Sequence, residues 1–150
     1  MSHNGVMKEL IKRYGKRCFI DVLHLRKDTN RKYTGKSNYY TYHHIKRRSE
    51  GGQTTLKNGA LLSRENHEWL HQQSPEAIRC INDLFHKYKN RVDESRKKGD
   101  LTIDEAGCPV VYVDDLKLPH DIVLKPLEFS IDKKIKKSRN TPNGINDKSR

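Results

Sequence analysis

YHHIKRRSEGGQTTLKNGALLSRENHEWLH, residues 42–71, holds four of the chain's eight histidines and one change of periodicity, and the architecture follows from both. Tyr39, Tyr40, Thr41 and Tyr42 favour extended backbone, so His43 and His44 are expected to finish a β-strand with their side chains on opposite faces. Gly51-Gly52 marks a tight turn, and Gly59 after Asn58 opens a second short strand, Ala60-Leu61-Leu62. Ser63 then caps a helix, RENHEWLHQQ over residues 64–73, on which His67 and His71 stand one turn apart on the same side. A histidine pair at that spacing is a bidentate clamp. Strand, loop, strand and helix therefore converge on one point.

A His-His pair closing a strand, an Asn before the next strand and two histidines on the following helix resemble the HNH endonucleases, with their ββα-metal hairpin. The matching stretch is about a fifth of the chain. The resemblance implies that His43 is the first metal ligand, His44 the general base, and His67 and His71 the helix ligands. It implies that Asn58 either braces the loop around the base or sits near the metal, and it adds Asn58 to His44 as a catalytic position. The implied activity is hydrolysis of DNA phosphodiester bonds with one divalent ion (Mg, Mn, Ni or Zn), leaving 5′-phosphate and 3′-hydroxyl ends. Many relatives carry paired C-x-x-C knuckles with a second zinc. Here Cys18, Cys80 and Cys108 stand alone, so packing has to support the hairpin.

The chemistry calls for these groups. The anionic oxygens of a phosphodiester repel a nucleophile, so a catalyst must activate water and neutralise the charge that builds in the transition state. With a reference pKa of about 6.5, His44 is expected to be mostly neutral near pH 7 and able to accept a proton from water. An ion on His43, His67 and His71 would have three protein ligands, leaving positions open for a phosphate oxygen and the leaving group.

Two other readings use the same residues. Three or four imidazoles can hold a closed structural zinc, giving a nucleic-acid-binding module without catalysis. His67-Glu68-Trp69-Leu70-His71 also satisfies H-E-x-x-H, the zinc peptidase signature with Glu68 as base, which would need a third ligand such as His86 or Glu94. The peptidase reading leaves Tyr42 to Gly52 and Asn58 without a role. His3, His24, His86 and His120 read as ordinary surface or hydrogen-bonding residues. Asn before Gly at 58–59 is a turn signal in its own right.

With 31 Lys and Arg against 19 Asp and Glu, the chain carries +12 and a pI near 9.7, which suits a polyanionic partner such as DNA. Lys46, Arg47 and Arg48 follow the base in a loop and are expected to grip flanking phosphates, with Arg64 at the start of the metal-bearing helix as a fourth cation. Phosphate contacts carry little sequence information, and no recognition helix stands elsewhere. Specificity and double-strand cutting would then come from a homodimer or a partner protein.

At 150 residues with 33% hydrophobic residues, one domain with a small core is expected. No apolar run reaches membrane-span length, the N-terminus lacks a signal peptide's apolar stretch, and three unclustered cysteines read as free thiols. A cytoplasmic, intracellular location is the expectation. The fold class is α+β, with the nuclease domain over residues 1–100 and the metal hairpin at 39–73. Met7 to Tyr14 is a short helix stopped by Gly15, and Cys18-Phe19-Ile20 with Val22-Leu23 forms an extended or packed segment. Arg26 to Asn38 is a polar loop. Ser74 and Pro75 start an amphipathic supporting helix over 75–96, ended by Gly99. Residues 101–131 form a β-like extension in which Pro109–Val113 pairs with the segment from Ile122 to Phe129. Asp104-Glu105 and Asp114-Asp115 read as solvated turns. Residues 132–150 read as a disordered basic tail.

Overall fold

Tyr40–His44 (β1) runs antiparallel to Gly59–Ser63 (β2), with Tyr40 opposite Ser63 and His44 opposite Gly59, so the two strands end together where the histidines stand. The computed structural model describes residues 2–27 and 39–128. Most of the polar loop at 26–38 and the basic tail fall outside them. The class is α+β: helices α1 (His3–Tyr14), α2 (Phe19–Val22), α3 (Arg64–His71) and α4 (Pro75–Lys98), a 3-10 turn at Arg48–Glu50, and two two-stranded sheets.

β2 is buried along its whole length. Leu10 of α1 and Phe19 and Ile20 of α2 join its Ala60, Leu61 and Leu62 in a single core. α1 begins four residues earlier than Met7 because Ser2 caps it, its hydroxyl accepting from Gly5 N at 3.1 Å. Cys18 to Val22 is a helical turn rather than extended chain, which sinks Phe19 between Phe85 and Tyr88 of α4 with ring centroids 5.8 and 5.1 Å away. The supporting helix runs as expected from the Ser74 cap and Pro75 to Lys98, and Gly99 closes it in the left-handed region at φ 79°. Its Ile81, Leu84, Phe85, Tyr88 and Val92 join the core behind the hairpin and support it by packing.

Two buried polar groups complete that support. Lys89, only 4% exposed, donates from Nζ to the carbonyls of Leu56, Lys57 and Gly59 at 2.6, 3.0 and 2.7 Å, tying α4 to the chain that enters β2. Burial pulls its ammonium down to about 8. Arg26 Nη1 donates to Glu65 at 2.6 Å and to Asn66 Oδ1 at 2.9 Å, which pins the first turn of α3. That pin sits just ahead of His67.

The extension beyond α4 pairs differently from the sequence expectation. Thr102–Ile103 (β3) pairs with Pro109–Val110 (β4), and Ile122 to Leu124 adopts no strand. Glutamine side chains replace the expected ladder. Gln73 donates to Lys125 O at 3.0 Å and accepts from Lys125 N at 2.7 Å, while Gln72 donates to Glu128 O and accepts from Glu128 N, both at 2.8 Å. Trp69 Nε1 also donates to Lys125 O at 2.8 Å. These bonds pair the backbone of Lys125 and Glu128, so residues 125–128 form a strap held along α3 without a partner strand. Leu116 and Leu127 anchor it in the core.

Candidate metal centre

The two turns that enter the site are set by glycine and asparagine. A Cβ on Gly52 would stand 1.9 Å from Lys46 O, so only glycine lets the loop after the 3-10 turn fold back on the end of β1. Asn58 closes the same loop. Its Oδ1 accepts from Lys46 N at 2.7 Å, and its Nδ2 donates to Lys46 O at 3.1 Å and Gln53 O at 2.9 Å. All three bonds go to loop backbone, so Asn58 braces the loop.

With the loop closed and α3 capped by Ser63, the side chains of His43, His67 and His71 meet. One ring nitrogen from each lies within 4.8 Å of the others, the one such group among the described residues. Four-coordinate zinc holds imidazole nitrogens at about 2.0–2.1 Å, which places them roughly 3.3 Å apart, so a pair 4.8 Å apart has to close by about 1.5 Å on loading. Side-chain torsions supply that much. The donor set fits a divalent ion: three imidazoles kept neutral, with no fourth ligand joining them among the described residues. Phe85 stands under His43 with ring centroids 5.8 Å apart.

His44 points to the other face of β1, as strand alternation requires, with its ring edge-on to Tyr42 at 4.7 Å. Because it is the last strand residue, it still lines the same cavity of about 280 Å³ as the three histidines. Its Nε2 lies 3.0 Å from Thr54 Oγ1. Arg47 and Arg48 line that cavity too. Lys46 and Arg64 do not. Lys46 is held at the turn through its backbone, and Arg64 stacks over Tyr39, its guanidinium carbon 5.7 Å from the ring centroid.

Three neighbours of the site were not singled out by the sequence pattern. Thr41 Oγ1 is 2.7 Å from His67 Nδ1, Asn82 Oδ1 of α4 is 2.8 Å from His43 Nε2, and Thr54 touches His44. No motif marks them, although Thr41 lies two residues before His43 and so shares its strand face. His3 was read as an isolated histidine. Its ring lies 5.6 Å from Tyr42, and its charge helps to lower His44. The third-ligand candidates of the peptidase reading stay away: neither His86 nor Glu94 joins the cluster, and His86 lines a different cavity with Lys89 and Asp93. The acidic turns are committed elsewhere. Asp104 accepts from Arg17 at 2.7 Å and from the Ala106 and Cys108 amides, and Asp115 is gripped by Arg91.

Burial controls the protonation of the cluster. It pushes His43 down to about 4, and with repulsion from His43 and His71 it pushes His67 down to about 3. His71 is lowered by partial burial and by Arg47, and His44 by burial, Arg48 and His3. Neutral imidazoles need no proton displaced before they ligate. The same shifts set a pH dependence of stability. Unfolded histidines titrate near 6.5, so as pH falls below about 6.5 the unfolded chain takes up protons that the folded chain refuses. Stability is therefore fully present above pH 6.5 and falls as the pH drops toward 4, by up to about 1.4 kcal/mol per pH unit for each such imidazole. In chelator, urea midpoints should fall from pH 6.5 to 5, and His43→Gln should flatten that slope. An unchanged slope in the variant would show that His43 is not the group responsible.

Comparison of the chain with protein-family profiles, characterised proteins and solved structures gave no match. Among the described residues no helix is long and apolar enough to cross a membrane.

Proposed function

We propose that the chain is a metal-dependent endonuclease of the HNH, ββα-metal type acting on DNA. One observation carries this reading: three convergent imidazoles, a fourth histidine and two arginines line one open cavity. A divalent ion held by His43, His67 and His71 supplies Lewis-acid neutralisation of charge on a phosphate oxygen. His44, neutral at pH 7 and oriented by Tyr42 and Thr54, accepts the proton of the attacking water. Arg47 and Arg48 hold the phosphate chain against the cavity, and Asn58 keeps the loop that carries them in place. The basic balance of +12 draws the polyanion in.

A closed structural zinc is less favoured, because such sites take four protein ligands and the cluster offers three. The peptidase reading lacks support from His86 or Glu94, and Glu68 is not among the residues lining the cavity. Supercoiled plasmid incubated with the protein and Mg, Mn, Ni or Zn in turn is the deciding assay. Conversion to nicked or linear DNA with at least one ion, stopped by chelator, is the expected result. Plasmid left intact in every ion, while its migration in a gel is retarded, would replace this reading with a binding module.

A further inference from the structure

Two hydrogen bonds beside the histidine cluster end on backbone carbonyls, and carbonyls only accept. That fixes where the protons sit. Asn82 Nδ2 donates to Ile45 O at 3.2 Å, so the amide turns its oxygen, Oδ1, toward His43 Nε2 at 2.8 Å. An amide oxygen carries no proton, so His43 Nε2 has to donate, which leaves the lone pair of His43 on Nδ1. Thr41 works the same way from the strand. Its single hydroxyl proton goes to Leu62 O at 3.0 Å, so its oxygen accepts from His67 Nδ1 at 2.7 Å, and the lone pair of His67 lies on Nε2.

We propose that Asn82 and Thr41 are positioning residues that set opposite tautomers on two metal ligands, so that a divalent ion is bound through Nδ1 of His43 and Nε2 of His67. The proposal rests on the metal-binding half of the function argued above and not on the nuclease half. It makes α4 more than a prop. The helix that fills the space behind the hairpin also orients the first ligand, because Asn82 lines the cavity and ties β1's end to α4 through the same side chain. A ligating histidine gains basicity and a fixed ring from such a partner.

The test uses the full chain and zinc or cobalt alone. Nitrogen-15 correlation spectra of the histidine rings, taken in chelator near pH 7.5, should show His43 protonated at Nε2 and His67 at Nδ1. Asn82→Leu and Thr41→Val should each weaken metal binding by about 10–100-fold, the usual cost of removing such a partner. Asn82→Asp keeps an acceptor for His43 and should retain the Nε2–H tautomer and bind more tightly than the leucine variant. The opposite tautomer on His43 in the parent protein overturns the proposal, and so does a folded Asn82→Leu protein that binds zinc as the parent does. If a substitution prevents folding, the parent spectrum alone still decides. Because no arm reads cleavage, a protein with these tautomers that leaves plasmid intact removes the nuclease reading and keeps this one.

Discussion

His44→Ala is expected to nick plasmid DNA about 10²–10⁴-fold more slowly than the parent protein, the range that a positioned general base contributes. Metal binding should stay within a few-fold. His44 lies outside the three-histidine group, and its Nε2 is bonded to Thr54, not to a ligand or its partner. The fold should survive as well, since the imidazole is only half-buried and stands at the open end of β1 beside Tyr42. DNA affinity should change little, because the cations proposed to meet the phosphates are Arg47 and Arg48, which line the cavity. Loss of cleavage alone, with metal and DNA retained, separates a proton acceptor from a structural histidine. Full cutting by the variant at saturating metal would remove His44 from the mechanism. A reduced rate that rises again at high pH would instead show a base replaced by free hydroxide, as proton abstraction requires.

The hairpin was readable from local signals because its punctuation is local. Ser63 and Ser74 cap helices, Pro75 starts one, Gly99 stops one, and each acts through the backbone of the next few residues. The register of β1 on β2 brings His43 opposite Ala60, and the i,i+4 spacing on α3 does the rest. The candidate metal ligands were legible for the same reason: three side-chain directions follow from one strand and one helix. The partners of those ligands were not. Asn82 lies 39 residues from His43 in sequence, and only the packing of α4 behind the sheet joins them. Lys89 was missed on similar grounds. It occupies a buried stripe of an amphipathic helix, where a lysine ordinarily argues against burial, and the three carbonyls that solvate it come from the entry to β2, 30–33 residues away.

The C-terminal pairing failed for a related reason. Continuous β-like apolar runs at Pro109–Val113 and Ile122–Leu124 suggested a ladder, but a side-chain amide satisfies an extended backbone as well as a strand does. Gln72 and Gln73, next to His71 in sequence, capture the strap first. Their position has a functional corollary. The strap grips the last turn of α3, the turn that carries the most exposed ligand, so residues 125–128 help to hold His71 against the cluster.

His67→Ala and His71→Ala should each lose metal by at least about 10²-fold. Structural zinc sites with four ligands bind with apparent free energies of about 10–16 kcal/mol, so one ligand of a small set is worth roughly 3 kcal/mol, or a little over a hundredfold. Isothermal titration with zinc measures this directly, and cleavage should fall with metal occupancy and recover in part at high metal concentration. The two variants should differ in the metal-free state. His67 is held by Thr41 and carries the deepest protonation penalty, so its removal should relieve acid destabilisation below about pH 6.5 even as it leaves a small cavity beside Thr41. His71 is more exposed, so its loss should relieve the acid limb less than loss of His67 does. Unequal behaviour of the two residues in chelator, together with equal damage in metal, is a pattern that general unfolding cannot produce. Retention of parental zinc affinity by both variants would show that the histidines converge without forming a binding site, and the nuclease reading would fall with it.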